Sequence, residues 1–402
     1  MTEEKQINKK FILGKRVLNI NEAESSKILN VLEDFYLIFI WWFSIVKKVF
    51  RIVRSGRNKT MAEMVKVAVD AMGGDNAPEV TVKGAVDAVN EDKRVKVFLV
   101  GREPIVQEEL KKYQYDVSRI EVVHAEEVIE MAEPPVMAIR KKKDSSIVKA
   151  MYMVKDGTCD AFVSAGSTGA VLVGGQVIVG RIKGVERPPL APLIPTLNGF
   201  SLLVDCGANV DARPSHLVQF AKMGSVYMEN VMGIQNPKVG IINNGAEEEK
   251  GNALVKETFP LLKNCPDINF IGSVEARDIP AGVADVIVCE AFVGNVVLKM
   301  YEGVSSCLMK KIKEGMMSSL RSKVGALLVK PALKKMMKSF SAEEYGGAPM
   351  LGLNGLVVKS HGSSNAREIK NSILQCVTFS EQKINEKIKE KILLEDSKER
   401  GN

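Results

Sequence analysis

Four short apolar runs in this 402-residue chain end alike, in a polar residue followed closely by glycine. Residues 65–69 lead into Asp70-Ala71-Met72-Gly73-Gly74-Asp75, and residues 161–163 into Ser164-Ala165-Gly166-Ser167-Thr168-Gly169. Residues 202–204 lead into Asp205-Cys206-Gly207-Ala208-Asn209, and residues 239–242 into Asn243-Asn244-Gly245. A buried parallel strand opening into a loop at the rim of an α/β sheet has this form. The polar strand ends are therefore expected to converge on one crevice.

Two turns have the composition of anion seats. Residues 164–170 are small and open a helix, where unpaired amides and the hydroxyls of Ser167 and Thr168 suit phosphate or carboxylate. The competing reading is a tight turn in which glycine serves sterics alone. Ser360-His361-Gly362-Ser363-Ser364-Asn365 repeats the anatomy after the apolar run 356–358 and ahead of another helix. Two such seats in one α/β chain point to phosphate or a phosphorylated substrate.

Charge and donor groups follow other strand ends. Lys250, between Glu247-Glu248-Glu249 and Gly251-Asn252, is either a solvated helix start or an ammonium that neutralises a phosphate or a developing oxyanion. Asn295, after Glu290-Ala291-Phe292-Val293-Gly294, is either a helix N-cap or a neutral donor aimed at a carbonyl oxygen. The chain has no G-x-x-x-x-G-K-[ST], no G-x-G-x-x-G after the first strand and no G-x-S-x-G. ATP, dinucleotides and a covalent serine mechanism are disfavoured accordingly. Three histidines leave little for a metal site, and six scattered cysteines without a C-x-x-C pair read as reduced core residues of a cytosolic protein.

The elements that must hold these groups are those of an α/β protein. With 46% hydrophobic residues the chain can build a large core. From residue 65 to about 302, strand-like runs (95–100, 120–124, 268–273, 285–289) alternate with helix-like ones (80–90, 105–113), as in βαβ units of a mainly parallel sheet. No linker divides this stretch, so one cooperative unit is expected over about 65–390. Residues 300–342 then form a basic amphipathic helical hairpin, broken near Val329-Lys330-Pro331, with Leu327, Leu328, Val329 and Leu333 around its tip. That tip suits either a dimer contact or an anionic membrane surface.

Residues 1–60 stand apart. They carry twelve Lys or Arg against six Asp or Glu, so 12 − 6 = +6 of the formal +7 charge lies there. The rest is nearly balanced, and no nucleic-acid partner is expected. The run 35–46 holds both tryptophans but is too short to span a bilayer, which needs about 20 residues. It reads as an interfacial anchor or, with Met61 and Met64 just before the first strand, as the product of a start placed too far upstream.

At this point the residues resemble a known family. The runs 67–75 and 164–170, Val179-Gly180-Arg181-Ile182-Lys183-Gly184 with Arg187-Pro188, Gly207-Ala208-Asn209-Val210-Asp211 and Met223-Gly224-Ser225-Val226-Tyr227 match it in order, as do Lys250-Gly251-Asn252, the run 294–299, Tyr345-Gly346-Gly347-Ala348 and His361-Gly362-Ser363-Ser364. Over about residues 65–384 the chain is similar to the acyl-ACP:phosphate acyltransferases called PlsX. The resemblance implies a homodimeric three-layer α/β/α fold with a mainly parallel sheet, related to phosphotransacetylases and isocitrate dehydrogenases. It also implies transfer of a long-chain acyl group from acyl carrier protein (ACP) to inorganic phosphate, without cofactor or metal, for phospholipid synthesis. The protein would be cytoplasmic, peripheral to the inner face of the cell membrane, and would feed a glycerol-3-phosphate acyltransferase that uses acyl phosphate.

By the same resemblance Lys250 neutralises charge and Asn295 contacts the reacting carbonyl or phosphate. Asp70, Gly73, Gly74, Asp75, Ser164, Gly166, Ser167, Thr168, Gly169, Asn209, Asn252, His361, Ser363 and Ser364 would surround phosphate and substrate. Two positions depart from the family: Asn76 replaces a frequent His, and Glu290-Ala291 a usual Asp-Gly, altering the approach to Asn295. A soluble phosphotransacylase using short acyl-CoA would share the seats without needing the hairpin. An isocitrate-type dehydrogenase lacks its clustered aspartates and dinucleotide motif here, and Lys250 with Asn295 argues against a non-catalytic membrane scaffold.

Overall fold

The computed structural model describes residues 9–13, 16–20, 64–339 and 345–399. The chain divides into two compact units, Met1–Ala62 and Glu63–Asn402. In the first, β1 (Lys9–Leu13) and β2 (Arg16–Ile20) pair antiparallel, where the hydropathy pattern signals no element. The aromatic run 35–46, read as an anchor or an upstream artefact, lies outside the described residues.

The second unit has two sheets where the sequence suggested one. The first has the order β12-β13-β6-β3-β4-β5, with β12 (Ala348–Met350) antiparallel and the others parallel: β13 (Leu356–Lys359), β6 (Ala161–Ser164), β3 (Val65–Asp70), β4 (Val95–Gly101) and β5 (Ile120–His124). The second has the order β10-β9-β11-β8-β7: β10 (Asn269–Glu275), β9 (Lys238–Asn243), β11 (Val286–Val288) and β8 (Gly199–Val204) are parallel, and β7 (Leu193–Thr196) is antiparallel. Both faces of the six-stranded sheet are covered, which is why its strands read as unbroken apolar runs. In β3, Val65, Val67 and Val69 enter a core shared with the five-stranded sheet and with the helices Glu79–Glu91, Pro214–Asn230, Ala366–Glu381 and Ile384–Glu399. Ala68 faces the opposite core with Phe162, Val357 and the helix Ser146–Lys155.

In the six-stranded sheet the chain leaves β3 toward β4 and β5 on one side, then returns to β6 on the other. The resulting switch point, between the C-terminal ends of β3 and β6, is where open α/β sheets form their ligand crevice.

The hairpin differs from its sequence reading. Its helices are Ala291–Met316 and Leu320–Ser339, so the turn lies at residues 317–319 and Leu327, Leu328, Val329 and Leu333 lie within the second helix, away from the tip. Two serines decide this. Ser318 Oγ donates to the Gly315 carbonyl at 2.7 Å, closing the first helix, and Ser319 Oγ accepts from Ser322 N at 3.1 Å, opening the second. Pro331 is accommodated inside that helix, where it forgoes one backbone bond. All six cysteines are free; Cys307 is exposed on the first hairpin helix, contrary to the core expectation, and the other five are buried.

Candidate active site

Three strand ends of the six-stranded sheet meet at the switch point. Register places Lys359 of β13 opposite Ser164 of β6, and Val163 of β6 opposite Val69 of β3. Asp70, Ser164 and Lys359 thus close three neighbouring parallel strands, and by strand alternation they share the face of Ala68, Phe162 and Val357. Ser164 Oγ donates to Asp70 Oδ2 at 2.7 Å and accepts from Gly166 N at 2.9 Å. Asp70 Oδ1 accepts from Met72 N at 3.1 Å.

Asp70 is a post beneath the turns and not a substrate contact, because it is only 1% exposed and its oxygens are used inside the protein. Burial pushes its carboxyl above the usual range, while hydrogen bonds from Ser146, Ser164 and Met72 and the charge of Lys359 pull it back. Lys359 is its counterpart. Burial pushes the ammonium down to about 8, while Asp70, Glu368 and Asp75 hold it up. Sequence reading missed Lys359, although a lysine closing the apolar run Leu356-Val357-Val358 ahead of the His361 turn is a signal of the kind that flags Asp70.

The turns above this post touch one another. A methyl on Gly73 would stand 2.2 Å from Asp70 Oδ2 and 2.7 Å from Gly166 N, so only glycine lets the two turns close. Gly74 adopts φ +103°, and a methyl there would stand 3.0 Å from both the Ala165 methyl and the Gly362 carbonyl. Asp75 N donates to that carbonyl at 2.8 Å. Asp75, Thr168, His361 and Ser363 remain exposed at the rim, with His361 Nδ1 2.8 Å from Ser363 Oγ. Ser364 Oγ is buried without a hydrogen-bond partner. Ser167 caps the helix Thr168–Gly174 by accepting from Ala170 N at 3.4 Å. Gly169 serves packing, since a methyl there would reach Pro135 Cγ at 2.4 Å.

The remaining site residues gather on the rim of the five-stranded sheet. Lys250 is half-exposed and paired with Glu247 at 2.8 Å, which holds its ammonium above the ordinary value. Asn243, ending β9, anchors this loop by donating from Nδ2 to the Lys250 carbonyl at 3.2 Å. Asn252 is the N-cap of the helix Ala253–Lys263 and accepts from Val255 N at 2.9 Å. Asn295 is not an N-cap. That role belongs to Glu290, which accepts from Phe292 N at 2.6 Å and Val293 N at 2.9 Å, leaving Asn295 half-buried in the second turn of the helix.

Asn209 is internal. Its Nδ2 donates to Asp205 Oδ2 at 2.8 Å and to the Pro188 carbonyl at 3.0 Å, and its carbonyl accepts from Ala291 N at 3.2 Å. Asp205 also accepts from the amides of Leu190, Ala208 and Asn209, yet burial keeps its carboxyl pushed up to about 6. Leu190 in turn bridges to Met350 of β12, and Ala208 packs on the core containing Ala170 and Val171. The end of β8 is thereby tied to the six-stranded sheet, and the strand ends expected on one crevice are divided between the rims of two sheets. Among the described residues no group of three or more His, Cys, Asp or Glu could hold a metal ion.

The sequence pattern of the family described as "Fatty acid synthesis protein" matches residues 65–387. A protein of Clostridium novyi named phosphate acyltransferase is 52% identical over 328 residues, covering 82% of this chain and 98% of its own. One of Clostridium botulinum with the same name is 51% identical over 326 residues, covering 81% and 98%. Among solved structures, a phosphotransacetylase from Streptococcus pyogenes superposes with a TM-score of 0.53 at 18% identity, over 79% of this chain and 94% of that one. This likeness is one of fold: α/β layers around mostly parallel sheets.

Proposed function

The chain belongs to the fatty acid synthesis protein family of acyltransferases, and from that membership we propose that it transfers a long-chain acyl group from an acyl-ACP thioester to inorganic phosphate, giving acyl phosphate and free ACP. The observation that carries the phosphate half is the contact of three glycine-containing turns, Gly73-Gly74, Ala165-Gly166 and Gly362, over the switch point. Phosphate is already a nucleophile, so the reaction needs orientation and relief of charge repulsion more than it needs a strong base.

Phosphate, held by these turns with Thr168, His361 and Ser363, attacks the thioester carbonyl. A C–O bond forms, negative charge gathers on the carbonyl oxygen, and collapse breaks the C–S bond, the carrier thiolate taking up, through water, the proton that the attacking phosphate releases. Lys250 neutralises the developing charge and Asn295 donates to the carbonyl oxygen. Asp70, Ser164, Ser167 and Asn209 act from below by fixing the turns. Asn76 supplies no acid or base, and none is required.

The hairpin supports assembly and membrane contact. Phe292, Val296, Met300, Val304 and Leu308 recur every four residues on its first helix and are all exposed, a stripe suited to a second copy of the chain. On the second helix Leu327, Leu328 and Val329 are exposed among Lys323, Lys330 and Lys334, as an anionic bilayer surface would require. No described helix is long and apolar enough to cross a membrane. Acyl phosphate released there would reach a membrane-borne glycerol-3-phosphate acyltransferase.

The test measures thiol release from long-chain acyl-ACP and from short-chain acyl-CoA, each with and without phosphate. Phosphate-dependent release from acyl-ACP is expected, without ATP, nicotinamide or metal. Release that ignores phosphate would overturn the reading, and a preference for short-chain acyl-CoA would replace the donor.

A further inference from the structure

The phosphate seat has a carboxylate built beneath it. Asp70 lies under the Gly73 and Gly166 turns, with Oδ2 within 3.0 Å of where a methyl on either glycine would stand. In its ionised form a carboxylate at that depth repels an arriving phosphate anion, and burial prevents water from screening it. Something must offset it, and the cation that acts on Asp70 within the same sheet is Lys359.

We infer that Lys359 is the positioning residue that offsets the buried Asp70 carboxylate beneath the phosphate seat, its ammonium acting across the intervening strand β6. Lys359 is 7% exposed and its Nζ donates to the Ser360 carbonyl, so it acts through Asp70 and the turn that follows β13 without reaching substrate. It stands opposite Ser164, whose hydroxyl links Asp70 to Gly166. The carboxylates that face it are Asp70, Asp75 and Glu368, and Asp75 and Glu368 flank the same turns. Of these acids only Asp70 is buried with Lys359, whereas Asp75 stands exposed at the rim, where water screens its charge.

The inference rests on the reading that phosphate occupies this seat, and the experiment separates the two. Phosphate affinity is measured by titration calorimetry without acyl donor, and KM is measured separately for phosphate and for acyl-ACP. Lys359→Met is expected to weaken phosphate binding about tenfold or more, raising its KM in parallel and sparing the KM for acyl-ACP. The double variant Lys359→Met with Asp70→Asn, which removes both charges, should return phosphate affinity to within about threefold of wild type. A double variant as weak as the single one overturns the inference, because loss of packing or of a direct contact is not repaired by Asp70→Asn. If Lys359→Met does not fold, Asp70→Asn alone decides: the unopposed ammonium should tighten phosphate binding, and unchanged or weaker binding overturns the inference. Ser363→Ala is the control for the seat. If it weakens phosphate binding while Lys359→Met does not, only the inference fails; if neither matters, phosphate binds elsewhere and both fail.

Discussion

Gly294 is seated on the backbone of Asp205: a methyl group on Gly294 would stand 1.9 Å from the Asp205 carbonyl oxygen. The helix that carries Asn295 therefore rests directly on the end of β8, and its N-terminal Ala291 amide bonds the Asn209 carbonyl of the same loop. Glu290 caps that helix through two amides, so the departure at Glu290-Ala291 leaves Asn295 supported.

Gly294→Ala is expected to cost about 1–3 kcal/mol, the range for overpacking against atoms that cannot yield. Turnover should fall about a hundredfold with it, because a shift of about 1 Å at a reacting group has that effect. An unchanged urea midpoint and turnover would show that the helix is not seated on Asp205.

Asp205 gives a pH signature. With its folded carboxyl at about 6, above the ordinary 3.8, the native state holds a proton that the unfolded chain has released between those values. Its contribution to stability therefore falls as pH rises through that window and stays constant above it, by ~3 kcal/mol in all. Asp205→Asn should remove this slope. Urea titrations of both proteins at pH 4 and pH 6.5 check it, and a stability difference independent of pH would place the carboxyl at its ordinary value.

Lys250→Ala should lower turnover by about two to three orders of magnitude, as loss of one transition-state donor does. Its side chain is half-exposed and paired only at the surface, so the thermal midpoint should not move. A folded variant with wild-type turnover would return Lys250 to a solvated surface role.

Leu327→Glu with Leu328→Glu should abolish flotation with anionic liposomes and spare activity on soluble acyl-ACP. These residues are 69% and 76% exposed on the second hairpin helix, so the change disturbs no core. Using a chain that starts at Met61 removes Trp41 and Trp42 as a second lipid contact. Binding that survives the double change would assign the face to a protein partner.

Much of the molecule was legible in its sequence because parallel strands buried on both faces leave apolar runs ending in polar residues and glycine. The strand Ile120–His124 was placed to the residue, and the helix Glu79–Glu91 to within one at each end. The turns that meet over the switch point were recognisable from composition, since close backbone approach leaves glycine as a mark. What only tertiary structure decided is which ends meet. Asp70 and Ser164 are 94 residues apart and Lys359 lies further still, and hydropathy period carries no information on pairing at such separations. Division into two sheets and withdrawal of Asp70 and Asn209 into the interior follow from long-range packing, whereas capping by Glu290 in place of Asn295 is local, its carboxylate accepting from the amides two and three residues on. The hairpin turn was misplaced for a local reason: a proline is the louder signal in sequence, but two capping serines satisfy more backbone groups than Pro331 removes.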